Sequence, residues 1–413
     1  MTSLNYNCFK SFFIFLCITY LPGLIFFPFF ESGYMKYYNF DGGLYPSFIV
    51  VFPLFSLVVW TCFYYLGRLP TLNFPRLNAT FTIYLFLLLS FLYFLLSVNF
   101  SINFTSSFRH VNRLSNAGPL VSLLFLIKPM MFFIVSLMLI HILNGNTLGK
   151  KTRFSLFLIF LASVLSINSS LHVLAVPILL LMLFKPNLFL LTSKDINWRY
   201  TFLAVFFAPI VIVGVLVIGV GNKVGYEFLM TEEGLSFVKG YGDILFPRMS
   251  TGLFSAIIML QDAFDGVFYS NDIVDAIMST LHNRFSLILP LDHFDPSLIN
   301  TVNRLNYMIV FANHAERAGA SPGILASVFY TPLFPFTFFL IPAYVFLLYR
   351  SLAYHMNSNV SLNILSCLVF PYLMLNLFES PLNIFYILDP IFILFFSVCV
   401  LGRFVYVGKV FSK

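Results

Sequence analysis

Charged residues are scarce in this chain: they make up 9% of its 413 residues, against roughly 25% in an ordinary soluble domain. This shortage excludes a soluble globular protein. Hydrophobic residues account for 60% of the sequence, and the mean hydropathy is +0.92. Apolar runs close to the ~20 residues that cross the hydrocarbon core of a bilayer recur along the whole chain. The composition therefore predicts an all-α polytopic membrane protein.

Cysteine is absent from the polar part of the chain. All five cysteines lie in or beside apolar segments: Cys8, Cys17, Cys62, Cys367 and Cys399. This placement excludes a disulfide framework or a thiolate metal site in the polar part. The histidines His282, His293 and His314 are widely separated and have no cysteine beside them, so no metal ion and no other cofactor is expected.

Other absences narrow the class of protein further. The formal charge of +7 comes from basic residues scattered between apolar runs, without the basic, aromatic-interleaved face of a nucleic-acid-binding protein. No small-residue cleavage site follows the long apolar stretch 12–30, so we predict a first transmembrane helix there instead of a signal peptide. No internal repeat is visible in the long polar stretch 221–322, so an inverted-repeat transporter has no direct support.

Ten segments are predicted to cross the membrane: 11–30, 46–66, 80–100, 118–141, 154–167, 171–184, 201–220, 323–349, 361–378 and 383–402. Clusters of Lys and Arg belong on the cytoplasmic side of such proteins. Basic clusters at 150–153 and 185–199 flank the fifth and sixth segments, which predicts a hairpin that turns at 168–170. The same rule places both termini in the cytoplasm and the long connection after the seventh crossing outside.

That connection, residues 221–322, is the outer segment of the chain. It holds eleven of the sixteen acidic residues: Glu227, Glu232, Glu233, Asp243, Asp262, Asp265, Asp272, Asp275, Asp292, Asp295 and Glu316. Apolar residues at spacings of three and four predict amphipathic helices on the membrane surface over 249–264, 273–289 and 298–311. The chain thus divides into transmembrane helices 1–7 (1–220), a helical periplasmic loop between helices 7 and 8 (221–322), and transmembrane helices 8–10 (323–413).

The end of the outer segment concentrates groups that could do chemistry. His314, Glu316 and Arg317 precede Ser321, which with Pro322 resembles a helix cap followed by a first-turn proline. Histidine exchanges protons near neutral pH, and arginine can hold a phosphate with two donors. The backbone N–H groups of Ser321 and Gly323 would offer a phosphate site at a helix start. The alternative is a solvated outer domain with an ordinary cap.

Basic residues also lie outside the membrane, where the topology rule disfavours them. Arg109 and Arg113 share a face if they lie in a helical turn, and Arg248 precedes the first helix predicted within the outer segment. Lysine and arginine that reach from the interface into water would look the same. Lys128 and Asp389 lie inside predicted crossings, where an ionisable side chain is a functional candidate unless the two form a structural pair.

These motifs together resemble the Wzy-type polymerases of O-antigen and other oligosaccharide repeat units. The resemblance covers the layout of about ten crossings with a large outer loop between late helices. At residue level it rests on the stretches around Arg113 and Arg248 and on the run from His314 to Gly323, which reads His-x-x-Arg-x-Gly-x-Ser-Pro-Gly.

The resemblance implies a metal-independent, GT-C-like glycosyltransferase of the bacterial inner membrane. Its partners would be undecaprenyl-diphosphate-linked oligosaccharides as donor and acceptor, together with a regulator of chain length. Arg248 and Arg113 would hold the donor diphosphate, with Arg109 less clearly placed in the family's pattern. His314 and Arg317 would act at the acceptor or leaving group, and Glu316 or Asp292 would be reserve bases.

Three other functions compete with polymerisation. O-antigen ligases share outer arginines and a loop histidine, so the sequence separates them least well from polymerases. A lipid-linked oligosaccharide flippase would have charged residues spread through its crossings and only short loops. A purely structural or assembly role would leave the basic residues of the outer segment tolerant of substitution.

Overall fold

The computed structural model describes residues 16–17, 19–21, 23–25, 45–66, 79–109, 119–143, 147–166, 198–239, 250–286, 289, 291, 301–310, 320–333, 336–337, 339, 343 and 380–402. Every regular element in these parts of the chain is helical, and none of them is a strand. The prediction of an all-α protein is therefore confirmed for the part of the chain that is described.

The α-helices are numbered in chain order. They are α1 (Tyr45–Leu66), α2 (Ala79–Ser101), α3 (Pro119–Leu143), α4 (Lys150–Leu165), α5 (Trp198–Val224), α6 (Tyr226–Leu229), α7 (Thr251–Phe264), α8 (Ser270–Phe285), α9 (Val302–Val310), α10 (Gly323–Phe329) and α11 (Pro390–Gly402). A 3₁₀ helix spans Pro381–Leu388, and residues 232–239 are also helical.

One helix among the described residues is long and apolar enough to cross a membrane: Ile83–Ser101, within α2. The first five helices coincide with predicted segments two, three, four, five and seven. α1, α3 and α5 contain 22, 25 and 27 residues. None of α1 to α5 carries an acidic residue in its first turn, and all five consist mainly of apolar residues, with Leu and Phe prominent in α1 to α4 and Val and Ile in α5. The predicted sixth and ninth segments lie outside the described residues.

Two predicted crossings are not continuous helices. The helix that begins at Gly323 ends at Phe329, and the chain then turns through residues 330–333. Pro332 lacks the N–H that a longer helix would need there. The tenth segment is interrupted as well: its first half is the 3₁₀ helix, Asp389 breaks the helical path, and α11 starts at Pro390. Proline suits this first helical position because its fixed φ matches the helix.

The chain forms two compact units. The first contains Met1–Leu72, Ile244–Tyr354 and Tyr372–Leu394, and the second contains Asn73–Asp243, His355–Pro371 and Phe395–Lys413. The described helices of the first unit are α1, α7 to α10, the 3₁₀ helix and the start of α11. Those of the second unit are α2 to α6.

In the second unit, α2 and α4 pack side by side and run parallel. Near their amino ends, the Lys151 ammonium donates to the Tyr84 hydroxyl at 2.6 Å. Near their carboxyl ends, both helices are bonded to the side-chain amide of Asn222 in α5. This amide donates to the carbonyl of Leu165, the last residue of α4, and accepts from the N–H of Asn103, just after α2, at 3.4 Å. Two helices joined at both matching ends must point the same way. Parallel packing is what an alternating topology requires of the third and fifth crossings.

In the first unit, α7 forms the core and α9 and α10 pack on it. All residues from Leu253 to Leu260 are buried, so α7 is covered on every side. The sequence predicted an amphipathic helix on the membrane surface here, and the amphipathic character of that prediction was wrong. A surface helix keeps one polar face, whereas the apolar run of α7 has none over two turns. α8 packs against α9 and the 3₁₀ helix and keeps an exposed side at Val274 and Met278.

Candidate functional site

The predicted site residues fall into two groups. Five lie outside the described residues, and their roles stay predictions: Arg113, Arg248, His314, Glu316 and Arg317. The structure describes Arg109, Ser321 and Gly323. Arg109 belongs to the second unit, and Ser321 and Gly323 belong to the first.

The start of α10 lies against the start of α7. Gly323 has φ 75°, and a side-chain carbon added to it would lie 3.0 Å from the Tyr20 hydroxyl and 3.7 Å from the Gly252 Cα. Glycine suits this left-handed conformation and this close approach because it has no Cβ. Gly252 follows shortly after Arg248, and Gly323 ends the stretch that begins at His314. The fold therefore brings together the ends of two predicted motifs that are far apart in the sequence.

Tyr20 has the role that the sequence assigned to Ser321. We expected Ser321 to cap α10, but Pro322 occupies the cap position and makes no side-chain capping hydrogen bond. Instead, the Leu325 N–H donates to the hydroxyl of the fully buried Tyr20 at 3.2 Å. A buried tyrosine hydroxyl needs a partner, and a helix start offers spare N–H donors. All seven residues of α10 are buried, so the phosphate-binding roles of Ser321 and Gly323 remain predictions.

Asn306 of α9 ties the same region together. Its side chain is fully buried and donates to the Ser255 hydroxyl at 3.0 Å and to the Ala320 carbonyl at 2.9 Å. Its carbonyl oxygen accepts from the Tyr330 hydroxyl at 2.6 Å. The Ala320 N–H donates in turn to the Asn303 carbonyl at 2.9 Å. One asparagine thus links α7, α9, the residue before Ser321 and the turn that ends α10.

A carboxylate and a tyrosine form a pair next to this link. The Tyr269 hydroxyl donates to Asp262 Oδ2 at 2.8 Å, and the Tyr269 N–H donates to the Tyr330 carbonyl at 3.0 Å. Burial raises the pKa of the Asp262 carboxyl above its usual range, and the nearby Asp265 carboxylate adds to the effect. Burial and the Asp262 carboxylate raise the pKa of the Tyr269 hydroxyl as well. Tyr269 therefore keeps its proton and remains the donor.

Asp389 is paired with Arg284. The sequence suggested Lys128 as its partner, but the structure places Arg284 Nε 3.5 Å from Asp389 Oδ2. The Asp389 side chain is 7% exposed and that of Arg284 is 32% exposed. A buried carboxylate is costly without an opposite charge. The partner comes from α8, so this ion pair links a helix of the outer segment to the break before α11.

Arg109 follows a turn that is fixed to the end of α5. The Asn103 side chain donates to the Ser107 carbonyl at 2.7 Å and accepts from the Thr105 N–H at 3.2 Å. The Tyr226 N–H donates to the Asn103 carbonyl at 3.1 Å. These bonds anchor the chain as it leaves α2, and Arg109 is half-buried directly after them.

Sequence reasoning missed Asn306, Asp262, Tyr269 and Arg284. A signal for Asn306 was present, because it lies four residues after Val302 and four before Val310, both buried residues of α9. A polar residue in an apolar stripe needs buried partners. Arg284 had no such signal, since its partner is distant in the sequence. No group of histidine, cysteine and acidic residues that could hold a metal ion occurs among the described residues.

No protein-family model, no curated protein and no solved structure matches the chain. The residues of the chain, their contacts and the resemblance of its motifs are therefore what indicates its function.

Proposed function

We propose that this protein is a polytopic membrane glycosyltransferase. It joins undecaprenyl-diphosphate-linked oligosaccharide repeat units into O-antigen or a similar polysaccharide at the outer face of the bacterial inner membrane. The observation that carries the proposal is the contact between Gly252 and Gly323. It brings the segment that follows Arg248 next to the end of the stretch that begins at His314. A polymerase site needs a diphosphate ligand and an acid–base group near each other, and this contact supports such a site.

The membrane arrangement that goes with this function is ten crossings with both termini cytoplasmic and the outer segment periplasmic. The apolar α2 and the parallel packing of α2 and α4 support it. The interrupted paths at Phe329 and Asp389 are compatible with it, because non-helical backbone is tolerated at membrane depth when it is buried in protein. Tyr330 at the first interruption and Asp389 at the second are buried, whereas Leu333 and Leu388 beside them are exposed.

The chemistry assigns one task to each candidate residue. Breaking a glycosyl–diphosphate bond leaves a charged lipid diphosphate, and the guanidinium groups of Arg248 and Arg113 stabilise that charge as it develops. Arg109 is the further candidate on the donor side. His314 accepts the proton of the attacking hydroxyl while Arg317 orients the reacting groups, and Glu316 is the reserve base.

The test is a His314→Ala variant in a strain whose polysaccharide depends on this protein. We expect polymerisation to stop and a single lipid-linked repeat unit to accumulate, which is still passed on as a one-unit product. Polymer length is measured on gels, and the amount of membrane protein is measured in parallel. His282→Ala is the matched control, because it removes a histidine of α8 that lies outside the motif.

The same experiment separates the competing functions. A lost flippase would leave the repeat unit on the cytoplasmic side, and a lost ligase would leave long polymer on the lipid carrier. Long polymer of normal length distribution from a stably expressed His314→Ala variant would remove the assignment. Loss of protein from the membrane would indicate that His314 has only a packing role.

A further inference from the structure

The amino ends of α2 and α4 form an exposed, positively charged corner of the second unit. The Lys151 ammonium lies 2.6 Å from the Tyr84 hydroxyl and 4.2 Å from the centre of the Tyr84 ring. Lys150 and Arg153 are exposed beside it. Arg153 Nε donates to the Leu148 carbonyl at 2.8 Å, which holds the guanidinium at the start of α4. Three cations are therefore gathered within one helical turn.

Nothing nearby in the sequence neutralises this charge. The chain has no aspartate or glutamate between Asp41 and Asp195. The one ion pair among the described residues, Arg284 with Asp389, belongs to the other unit. The amino ends of two parallel helices add the positive ends of their dipoles to the three cations. The corner therefore attracts an anion.

Apolar side chains continue from this corner along both helices. The exposed side chains on α2 are Tyr84, Leu88, Phe91 and Leu95, and those on α4 are Phe154, Phe157 and Phe160. Their spacings of three and four residues put each set on one face of its helix. Tyr84 begins the first set and touches Lys151, which lies one turn before the second set. Both apolar faces therefore start at the charged corner.

We propose that this surface binds an anionic phospholipid of the bilayer. Tyr84, Lys150, Lys151 and Arg153 hold the headgroup phosphate, and the two apolar faces contact the acyl chains. Because the Tyr84 hydroxyl oxygen accepts a hydrogen bond from the Lys151 ammonium, the hydroxyl proton is free to be donated to a phosphate oxygen. Arginine supplies a two-pronged donor, whereas each lysine acts as a point charge. The inference does not depend on the proposed glycosyltransferase activity.

The apolar faces favour a lipid over a free anion. A soluble phosphate would use only the corner and would leave about two turns of exposed apolar side chain on each helix in water. A phospholipid satisfies both parts at once, since its phosphate lies at the end of its apolar chains. Basic residues next to a membrane helix attract anionic lipids for the same reason.

Native mass spectrometry of the full-length protein in a neutral detergent tests the proposal. Phosphatidylglycerol, phosphatidylcholine and inorganic phosphate are titrated separately, and the fraction of lipid-bound protein gives each apparent Kd. We expect phosphatidylglycerol to bind more tightly than phosphatidylcholine. The double variant Lys151→Gln/Arg153→Gln should weaken phosphatidylglycerol binding at least about tenfold. Lys151→Arg should retain it and show that the site still folds.

The matched control is Lys239→Gln, which removes one exposed lysine of the same unit away from α2 and α4. It should leave phosphatidylglycerol binding unchanged. An unchanged Kd in the double variant would overturn the proposal. So would an equal loss in the Lys239→Gln control, because that would mean diffuse charge attraction. Displacement of the lipid by inorganic phosphate would mean a free-anion site and would also overturn it.

Discussion

Asn306 illustrates how one buried polar side chain can hold four parts of a fold together. All of its side-chain hydrogen-bonding groups are used, on partners from α7, the residue before Ser321, and the turn after α10. In a low-dielectric interior each of these bonds is costly to break, because the partner is left buried without water. The residue lies on the buried face of α9 and not in the predicted motif, so its contribution is to position the chain.

We predict that Asn306→Ala destabilises the protein by about 3 kcal/mol or more. The reason is that the Ser255 hydroxyl, the Tyr330 hydroxyl and the Ala320 carbonyl each lose a partner, at roughly 1–3 kcal/mol per buried group. The measurement is unfolding of the purified protein in detergent. Asn303→Ala is the control one turn earlier. Its Oδ1 is buried with no hydrogen-bond partner among the described residues, so its loss should cost less than about 1 kcal/mol. Equal effects would contradict the role of Asn306.

Asp262 makes stability depend on pH. A carboxyl whose pKa is raised in the folded state favours the fold when protonated. Its contribution is complete below the usual aspartate pKa and is lost as the pH rises through the raised value. We predict that Asp262→Asn flattens the fall in thermal stability from about pH 4 upward and raises the melting temperature at neutral pH. The side-chain amide oxygen of the asparagine in this variant can still accept the hydrogen bond from the Tyr269 hydroxyl. Asp265→Asn is the control: it removes an exposed carboxylate nearby, and it should keep most of the decrease in thermal stability with rising pH.

At the scale of elements, α10 is a short buried helix whose start is defined by contacts from elsewhere in the chain. Its first residue has φ 75°, its cap position holds a proline, and its Leu325 N–H is bonded by Tyr20. A helix of seven residues is too short to be stable by itself. The packing of α10 on α7 and on the 3₁₀ helix therefore decides that it forms. The hydrogen bond between the hydroxyls of Ser327 and Ser380, 2.9 Å long, adds to the second contact.

Two glycines with the same φ angle allow the cost of backbone strain to be distinguished from the cost of a steric contact. Gly323 and Gly266 both have φ 75°, but only Gly323 has atoms within 4 Å of an added Cβ. We predict that Gly266→Ala costs about 1–2 kcal/mol from left-handed backbone strain alone. Gly323→Ala should cost more, because the new methyl group meets the Tyr20 hydroxyl at 3.0 Å. Thermal unfolding of both variants gives the comparison. If Gly323→Ala is no less stable than Gly266→Ala, the Tyr20 side chain can move away from the new methyl group without a measurable cost, which would contradict the prediction.

At the scale of the whole molecule, the direction of the helices in the membrane is the property to test. α2 and α4 are parallel, so the chain must return to its starting side between them. The basic clusters before the predicted fifth segment and after the predicted sixth segment predict that both of these positions lie in the cytoplasm. The same rule applies to the second unit's charged corner at Lys150–Arg153.

We predict that reporter fusions at Asn146 and at Asp195 both give cytoplasmic signals and that a fusion at Gly234 gives a periplasmic signal. The physical reason is the cost of moving clustered Lys and Arg across the bilayer. Alkaline phosphatase and green fluorescent protein fusions give opposite readouts for the two sides, so each position is measured twice. Opposite signals at Asn146 and Asp195 would contradict the predicted hairpin and also the predicted periplasmic location of the outer segment.

Much of the helical layout could be predicted from the sequence. The five helices from α1 to α5 lie where apolar runs predicted them, because length and apolarity are local properties. The helices α8 and α9 also follow from apolar spacing. The continuity of the predicted eighth and tenth crossings was wrong, since Pro332 and Asp389–Pro390 interrupt them. The buried position of α7 was also missed, because spacing alone does not say what covers the second face.

The sequence by itself determined the all-helical class of the protein, the positions of its long helices and the concentration of ionisable groups in residues 221–322. These follow from composition and from short-range periodicity. Only the tertiary structure decided which distant residues meet. Gly252 and Gly323, Asn306 and Ala320, and Arg284 and Asp389 are brought together by packing. Such contacts depend on how helices lie against one another, and no local pattern of residues encodes that.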